Sequence, residues 1–229
     1  MSDPKEVSRG VNLTLRYLTF LVGIFIMSIG IALSVYALIG TTPISAIPLV
    51  MSYATPFSLG VYTVGINIVL LIFQILLLRR RFELIQLLQI PAAFAFGSFC
   101  DLSVWLLRGL DGVAADSYLI QLGLSLAASV VLGIGVWLQV TPRVLTLAGD
   151  GAAVALEIVT RRPFSTVKIM VDSTLVVIAV ILSLLFFGEL LGVREGTVIA
   201  AVLVGYVVRL LHRHVKWPAV LSRPGVHGS

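Results

Sequence analysis

Four ionisable side chains stand inside long apolar stretches of the sequence: Asp101, Lys168, Asp172 and Arg209. A charge at membrane depth is costly, and by default it marks a pathway, a ligand site or an ion pair. Asp101 lies in GSFCDL with no base close to it in sequence. Lys168 and Asp172 are spaced i,i+4, so one face of a helix brings them together and a plain helix pair explains them as readily as a solute site does. Lys168 also carries a stem long enough to snorkel. Arg209 reads either as a headgroup anchor or as a partner for Asp150 or Glu157. Neutral hydrogen-bonding groups are supplied by Thr41, Thr42, Ser45, Asn67, Ser173 and Thr174. Hydroxyls in apolar helices often bond only their own backbone, so these count only in company. The candidate solute-binding set is Thr41, Thr42, Ser45, Asn67, Asp101, Asp150, Lys168, Asp172 and Arg209.

No catalytic pattern accompanies them. The sequence has no glycine-rich phosphate loop, no GxSxG elbow and no HExxH pair. Cys100 is the single cysteine, which excludes an intrachain disulfide and fits a small core residue. His212 and His214, at i,i+2, face apart on a helix, and with His227 they read as solvated tail residues. The expectation is a protein that is not an enzyme and carries no metal or cofactor.

What must position these side chains follows from composition. The 229 residues are 59% hydrophobic and 12% charged, with a mean hydropathy of +1.07. Soluble domains average about 45–50% apolar and about 25% charged. A core of this size cannot hide so much apolar surface from water, so the chain needs lipid as its second solvent. The net charge of +5 is explained by basic residues gathered in loops on one membrane face, and no basic, aromatic-interleaved surface is left for nucleic acid.

A spanning helix takes about 20 apolar residues. Runs of this kind fall near residues 17–39, 60–78, 84–107, 118–140, 166–187 and 197–214. Pro91 predicts a kink in the third. Two further stretches, 40–58 and 141–162, are apolar but too short and too broken to span, and read as buried or re-entrant half-helices. With the N-terminus inside, Lys5, Arg9, Arg79–Arg81, Arg143, Arg161, Arg162, Arg213, Lys216 and Arg223 fall on the inner face, and only Arg108 and Arg194 on the outer. Six spans with both termini cytoplasmic therefore satisfy the positive-inside rule.

The order span, broken segment, span, span occurs twice. Pro56-Phe57-Ser58 matches Pro163-Phe164-Ser165, each opening a long span, and IGIAL in the first span matches LGIGV in the fourth. Gly97 and Asp101 fall opposite Gly205 and Arg209, with one residue of slippage, and Asn67 falls opposite Thr174. An odd number of spans in each half predicts two inverted three-span repeats, 13–110 and 117–215, related by an axis in the membrane plane. Around them lie a cytoplasmic N-terminus (1–12), an outer linker (111–116) and a cytoplasmic tail (216–229).

The sequence resembles the YczE/YyaS/YitT group of bacterial membrane proteins. The resemblance is carried by RYLTFLVGIFIMSIGIAL, GTTPISAI, FSLGVYTVGIN, GSFCDL, LAGDGAAVAL and FSTVKIMVD. It departs at Ile44-Ser45, where the group has Trp-Asp, and at Thr141-Pro142-Arg143, a weak copy of a glycine-rich motif. The likeness implies a bacterial inner-membrane protein and a transporter, without a substrate.

Inverted repeats place the working site between the halves. The expected function is transport or conduction of a small solute. A membrane scaffold or regulator that binds a partner protein is the alternative, distinguished by an interior packed dry. The lipid bilayer is the expected environment, and a homo-oligomer is compatible with the sequence. Asp101 is expected beside Thr41–Ser45 and Asn67 in an outer pocket. Asp150, Lys168, Asp172 and Arg209 are expected together in the inner half. A half-helix N-terminus at Thr41–Thr42 is expected to offer N–H groups to an anionic or carbonyl-bearing solute.

Overall fold

The computed structural model describes residues 4–215, and side chains from residue 13 onward. The described residues form eight α-helices and contain no strand: α1 (Pro4–Ala37), α2 (Pro43–Ala54), α3 (Leu59–Leu78), α4 (Gln89–Leu106), α5 (Tyr118–Val140), α6 (Ala148–Thr160), α7 (Phe164–Phe187) and α8 (Glu195–His214). Six stretches, Leu13–Ala37, Leu59–Arg81, Leu84–Leu106, Tyr118–Val140, Phe164–Phe187 and Glu195–His214, are long and apolar enough to cross a membrane. The protein is thus of the multi-pass membrane type. At 1.5 Å per residue, α2 and α6 fall well short of the roughly 30 Å hydrocarbon core. The expected tail at 216–229, with Lys216, Arg223 and His227, and the side chains of Lys5 and Arg9 lie outside what is described.

Two boundaries differ from expectation. The first helix starts at Pro4, well before the apolar run; a proline in the first turn gives up no intrahelical bond. The expected kink at Pro91 is replaced by a change of helix type ahead of it. A 3-10 stretch, Leu84–Leu88, runs into α4, and Pro91 is the third residue of α4. There the missing N–H would have had no intrahelical acceptor.

The centre of the molecule is the antiparallel pair α1–α5, its most extensive helix interface. Glycines set the approach. A Cβ on Gly23 would sit 2.5 Å from the Gln139 amide nitrogen, one on Gly135 2.4 Å from that of Met27, and one on Gly30 2.7 Å from that of Leu132. Without a hydrophobic force between helices in lipid, such backbone proximity is what holds them. α4 packs on α1 and α8 packs on α5. The α1–α4 contact holds the Ser28–Ser103 hydroxyl pair at 2.8 Å, a Tyr36 hydroxyl donating to the Val104 carbonyl at 2.8 Å, and an edge-on Phe25–Phe99 contact.

The remaining helices form a second group. α2 packs on α3 and α7, and α6 likewise packs on α3 and α7. α3 also packs closely on α4: a Cβ on Gly97 would lie 2.6 Å from the Gly60 carbonyl oxygen. The neighbours α7 and α8 do not pack along each other, and their spans are the least buried of the six.

A bend brings the short helix α2 inward. After α1 the chain turns through positive φ at Leu38 and Gly40. At Gly40 a side chain is doubly excluded, by φ of +104° and by the Thr197 hydroxyl 2.6 Å from where its Cβ would be. The Gly196 N–H donates to the Ile39 carbonyl at 2.8 Å and the Thr41 N–H to the Gly192 carbonyl, which ties this bend to the α7–α8 loop. The first turns of α2 and α6 then meet: the Ile44 side chain fills the space a Cβ on Gly149 would need.

Candidate functional site

A cavity of about 700 Å³ opens where the first turns of α2 and α6 meet. Its walls are mostly apolar, with Met27, Ile31, Phe96, Leu132, Val136 and Val204 from one core cluster and Val176 and Val193 from another. It extends between α7 and α8, where Ile169, Val177, Val198 and Val202 line it while being more than half exposed.

Polar groups are few and concentrated. Lys168 Nζ lies 3.0 Å from Asp150 Oδ1 and 3.0 Å from Asp172 Oδ1, so one ammonium bridges two carboxylates at the first turn of α6. The three side chains are between about a quarter and a third exposed. Asn67 on α3 is 2% exposed. Its Nδ2 donates to the Thr63 carbonyl at 2.7 Å, while Oδ1 is buried without a hydrogen-bond partner. The donated bond fixes the amide's orientation, since a flip would set oxygen against oxygen. Thr197 Oγ1, in the first turn of α8, is likewise buried without a partner. Buried polar atoms are almost always paired, so the Asn67 oxygen beside this cavity is an unmet acceptor, whereas the Thr197 hydroxyl packs toward the Gly40 bend.

The wall is braced from behind. Gln74, 1% exposed, donates from Nε2 to the Ala148 carbonyl at 3.1 Å and exchanges hydrogen bonds with the Gln89 amide. This amide pair joins α3, α4 and the start of α6. Its Oε1 also occupies the space a Cβ on Gly151 would take.

Of the residues expected from sequence, Thr42, Asn67, Asp150, Lys168 and Asp172 line this one cavity, and Ser173 joins them. Thr41 and Ser45 are buried off its wall: Thr41 pairs with the Ser34 hydroxyl at 2.6 Å and Ser45 accepts from Thr42 Oγ1 at 3.0 Å. The matching residue of Asn67, Thr174, only bonds the Met170 carbonyl of its own helix.

Asp101 and Arg209 are elsewhere, which corrects two expectations. Asp101 accepts from Ser58 Oγ at 2.6 Å and from the Gly60 N–H at 2.7 Å, clamping the start of α3 to α4 instead of facing Asn67. Arg209 is exposed and donates to the Gly205 carbonyl one turn back, while Asp150 takes Lys168 as its partner. The expected anion-binding helix start is also altered. Pro43 has no N–H, Ser45 donates its N–H back to Thr42, and Asp150 places a carboxylate in the first turn of α6. The sequence reading passed over Thr197 and the Gln74–Gln89 pair. Gln74, alone in IFQILLL, carried a signal; Thr197 did not, because its isolation depends on the bend at Gly40.

Among the described residues no group of His, Cys, Asp and Glu could hold a metal ion. Comparison with known proteins places the chain by sequence. It is 26% identical over 167 residues to the uncharacterized protein YyaS of Bacillus subtilis (strain 168), covering 73% of this chain and 81% of that one. No solved structure matches it significantly. A protein-family model matches residues 14–213, nearly all of the helical region just described. The chain belongs to that family, a family of unknown function (DUF6198).

Proposed function

We propose that the protein is a membrane transporter for a small solute, bound where α2 and α6 meet between two inverted halves. Each half comprises a span, a re-entrant short helix and two further spans, and both termini are cytoplasmic in a bacterial inner membrane. Several packing relations support the inverted arrangement. α1 and α5 are antiparallel and cross at Gly30 and Leu132, beside the positions that the sequence match pairs. The contacts α1–α4, α2–α7 and α2–α3 have images in α5–α8, α6–α3 and α6–α7. Short helices that start inside the bundle are how membrane transporters build sites from backbone and side chain together.

The observation that carries the functional reading is the cavity with the buried, unpartnered Asn67 oxygen on its wall. A scaffold needs no such space. A carrier fits better than an open channel because Ile44 against Gly149 closes the path between the short helices.

The test is accessibility from each face. In a Cys100→Ser background, Asn67→Cys is expected to react with a membrane-impermeant cationic methanethiosulfonate in both right-side-out and inside-out vesicles, as alternating access requires. Arg80→Cys is expected to react only from the cytoplasmic side. Labelling of position 67 from one face alone would mean a pocket without transport. Labelling of position 80 from outside would end the six-span topology.

A further inference from the structure

We propose that this cavity takes an amphipathic organic monocation, apolar in body and donor-bearing at its charged end, which enters from the bilayer between α7 and α8. The inference rests on the solute-binding reading above and adds the substrate class and the route.

Of the two unpartnered polar atoms on the cavity wall, the Thr197 hydroxyl can donate or accept, so only Asn67 and the carboxylate cluster set a preference. Asn67 Oδ1 can only accept, and it is buried without a donor. Asp150 and Asp172 share the single ammonium of Lys168, so the cluster carries one negative charge beyond its own compensation. Arg194, the other cation on the cavity wall, is taken by Glu195 at 3.0 Å. The short-helix starts do not reverse this balance, because Pro43 lacks an N–H and Asp150 lies in the first turn of α6. An ammonium or amine with N–H groups would complete the set; an anion would meet carboxylates and a lone carbonyl oxygen.

The rest of the wall is apolar, so most of the guest must be too. Such a molecule partitions into the bilayer before it meets the protein. The gap between α7 and α8 offers it a way in: Ile169, Val177, Val198 and Val202 line the cavity and face outward at once. The other half is shut at the related place, where Gly60 meets Gly97 and Asp101 clamps the helix start. Arg209, at the matching position of α8, cannot reproduce that clamp, since a cation offers nothing for backbone N–H groups to donate to.

The test uses the full chain in phosphatidylcholine nanodiscs at pH 8 with three fluorescent probes: ethidium, a planar cation bearing two amines; the anion anilinonaphthalenesulfonate; and neutral N-phenylnaphthylamine. Ethidium is expected to bind saturably and more tightly than the other two. Asp172→Asn should weaken it about tenfold, while Lys168→Met, which leaves both carboxylates without their ammonium, tightens it severalfold. Damage to the fold would weaken both variants alike, so the opposite signs separate charge from structure. Ala201→Trp, at an exposed α8 residue that lines the mouth of the cavity, should slow association and dissociation together about tenfold with little change in equilibrium affinity. Leu126→Trp on the outer side of α5 should change neither. Tight binding of the anion or the neutral probe, unmoved by Asp172→Asn, would overturn the monocation and leave the solute site standing. Unchanged ethidium rates in Ala201→Trp would overturn the lateral route. Saturable binding of none of the three would remove the site and the proposed function with it.

Discussion

Gly135→Leu should yield no folded protein: in detergent, the variant is expected to elute as aggregate with no cooperative thermal transition. A Cβ at this position would lie 2.4 Å from the Met27 nitrogen, 2.7 Å from the Met27 Cγ and 2.9 Å from the Gly23 carbonyl oxygen. Two of these three atoms are backbone, so no rotamer change relieves the contact and the helices must separate. Close packing of α1 on α5 supplies what a hydrophobic force would supply in water, and separation also withdraws the platform on which α4 and α8 pack. The milder Gly135→Ala should cost about 1–3 kcal/mol, the range for overpacking a filled interior. Gly65→Leu is the control, because nothing lies within 4 Å of a Cβ there. Wild-type melting of Gly135→Leu would mean that α1 and α5 do not cross at this point.

Removing the Asp101 carboxylate should be the second large effect, and it should fall on stability. Two hydrogen bonds to one ionised carboxylate hold the start of α3 to α4, and bonds to charged groups contribute about 1.5–3 kcal/mol each. Asp101→Leu deletes both and strands the Gly60 N–H; with partial access of water to the site, a loss of about 3 kcal/mol is expected. Asp101→Asn can keep the Gly60 bond through its oxygen and donate to Ser58 Oγ through its nitrogen, so about 1 kcal/mol is expected. Chemical denaturation in mixed micelles measures both. Probe binding per folded molecule should be unaltered in either variant, because Asp101 does not line the cavity. The sequence alone placed Asp101 in the solute-binding set, where its loss would fall on binding rather than on stability. A variant that melts like wild type but fails to bind would restore that view.

The contrast at Asp101 indicates where sequence reading succeeds. Spans were legible because lipid imposes a length and a composition, and both are local properties. The short helices α2 and α6 were visible as apolar stretches broken by proline, glycine and charge. The Lys168–Asp172 pair followed from helical spacing. Asp101 was misplaced because its partners, Ser58 and the Gly60 N–H, are distant in sequence and one of them is backbone, which no side-chain pattern announces. Arg209 was read as a headgroup anchor or as a partner for Asp150 or Glu157, and the partner reading fails because Asp150 reaches Lys168 where α6 packs on α7. Thr197 entered the site only through the bend at Gly40, a matter of φ rather than of residue chemistry. The gap between α7 and α8 is the absence of a contact, and absence leaves no residue pattern behind.

The α1–α5 crossing also sets a schedule for biosynthesis. At about 5–20 residues per second, α5 leaves the ribosome on the order of ten seconds after α1. During that interval α4 can cover the Ser28 side of α1, but the face bearing Gly23 and Gly30 has no partner until the fourth span, α5, arrives. A glycine-bearing face left bare in lipid accepts any helix that can approach as closely. Until α5 arrives, that face is open to the α1 of a neighbouring ribosome's product. Crowded expression would then trap chains paired α1 to α1 before either has made its own α5.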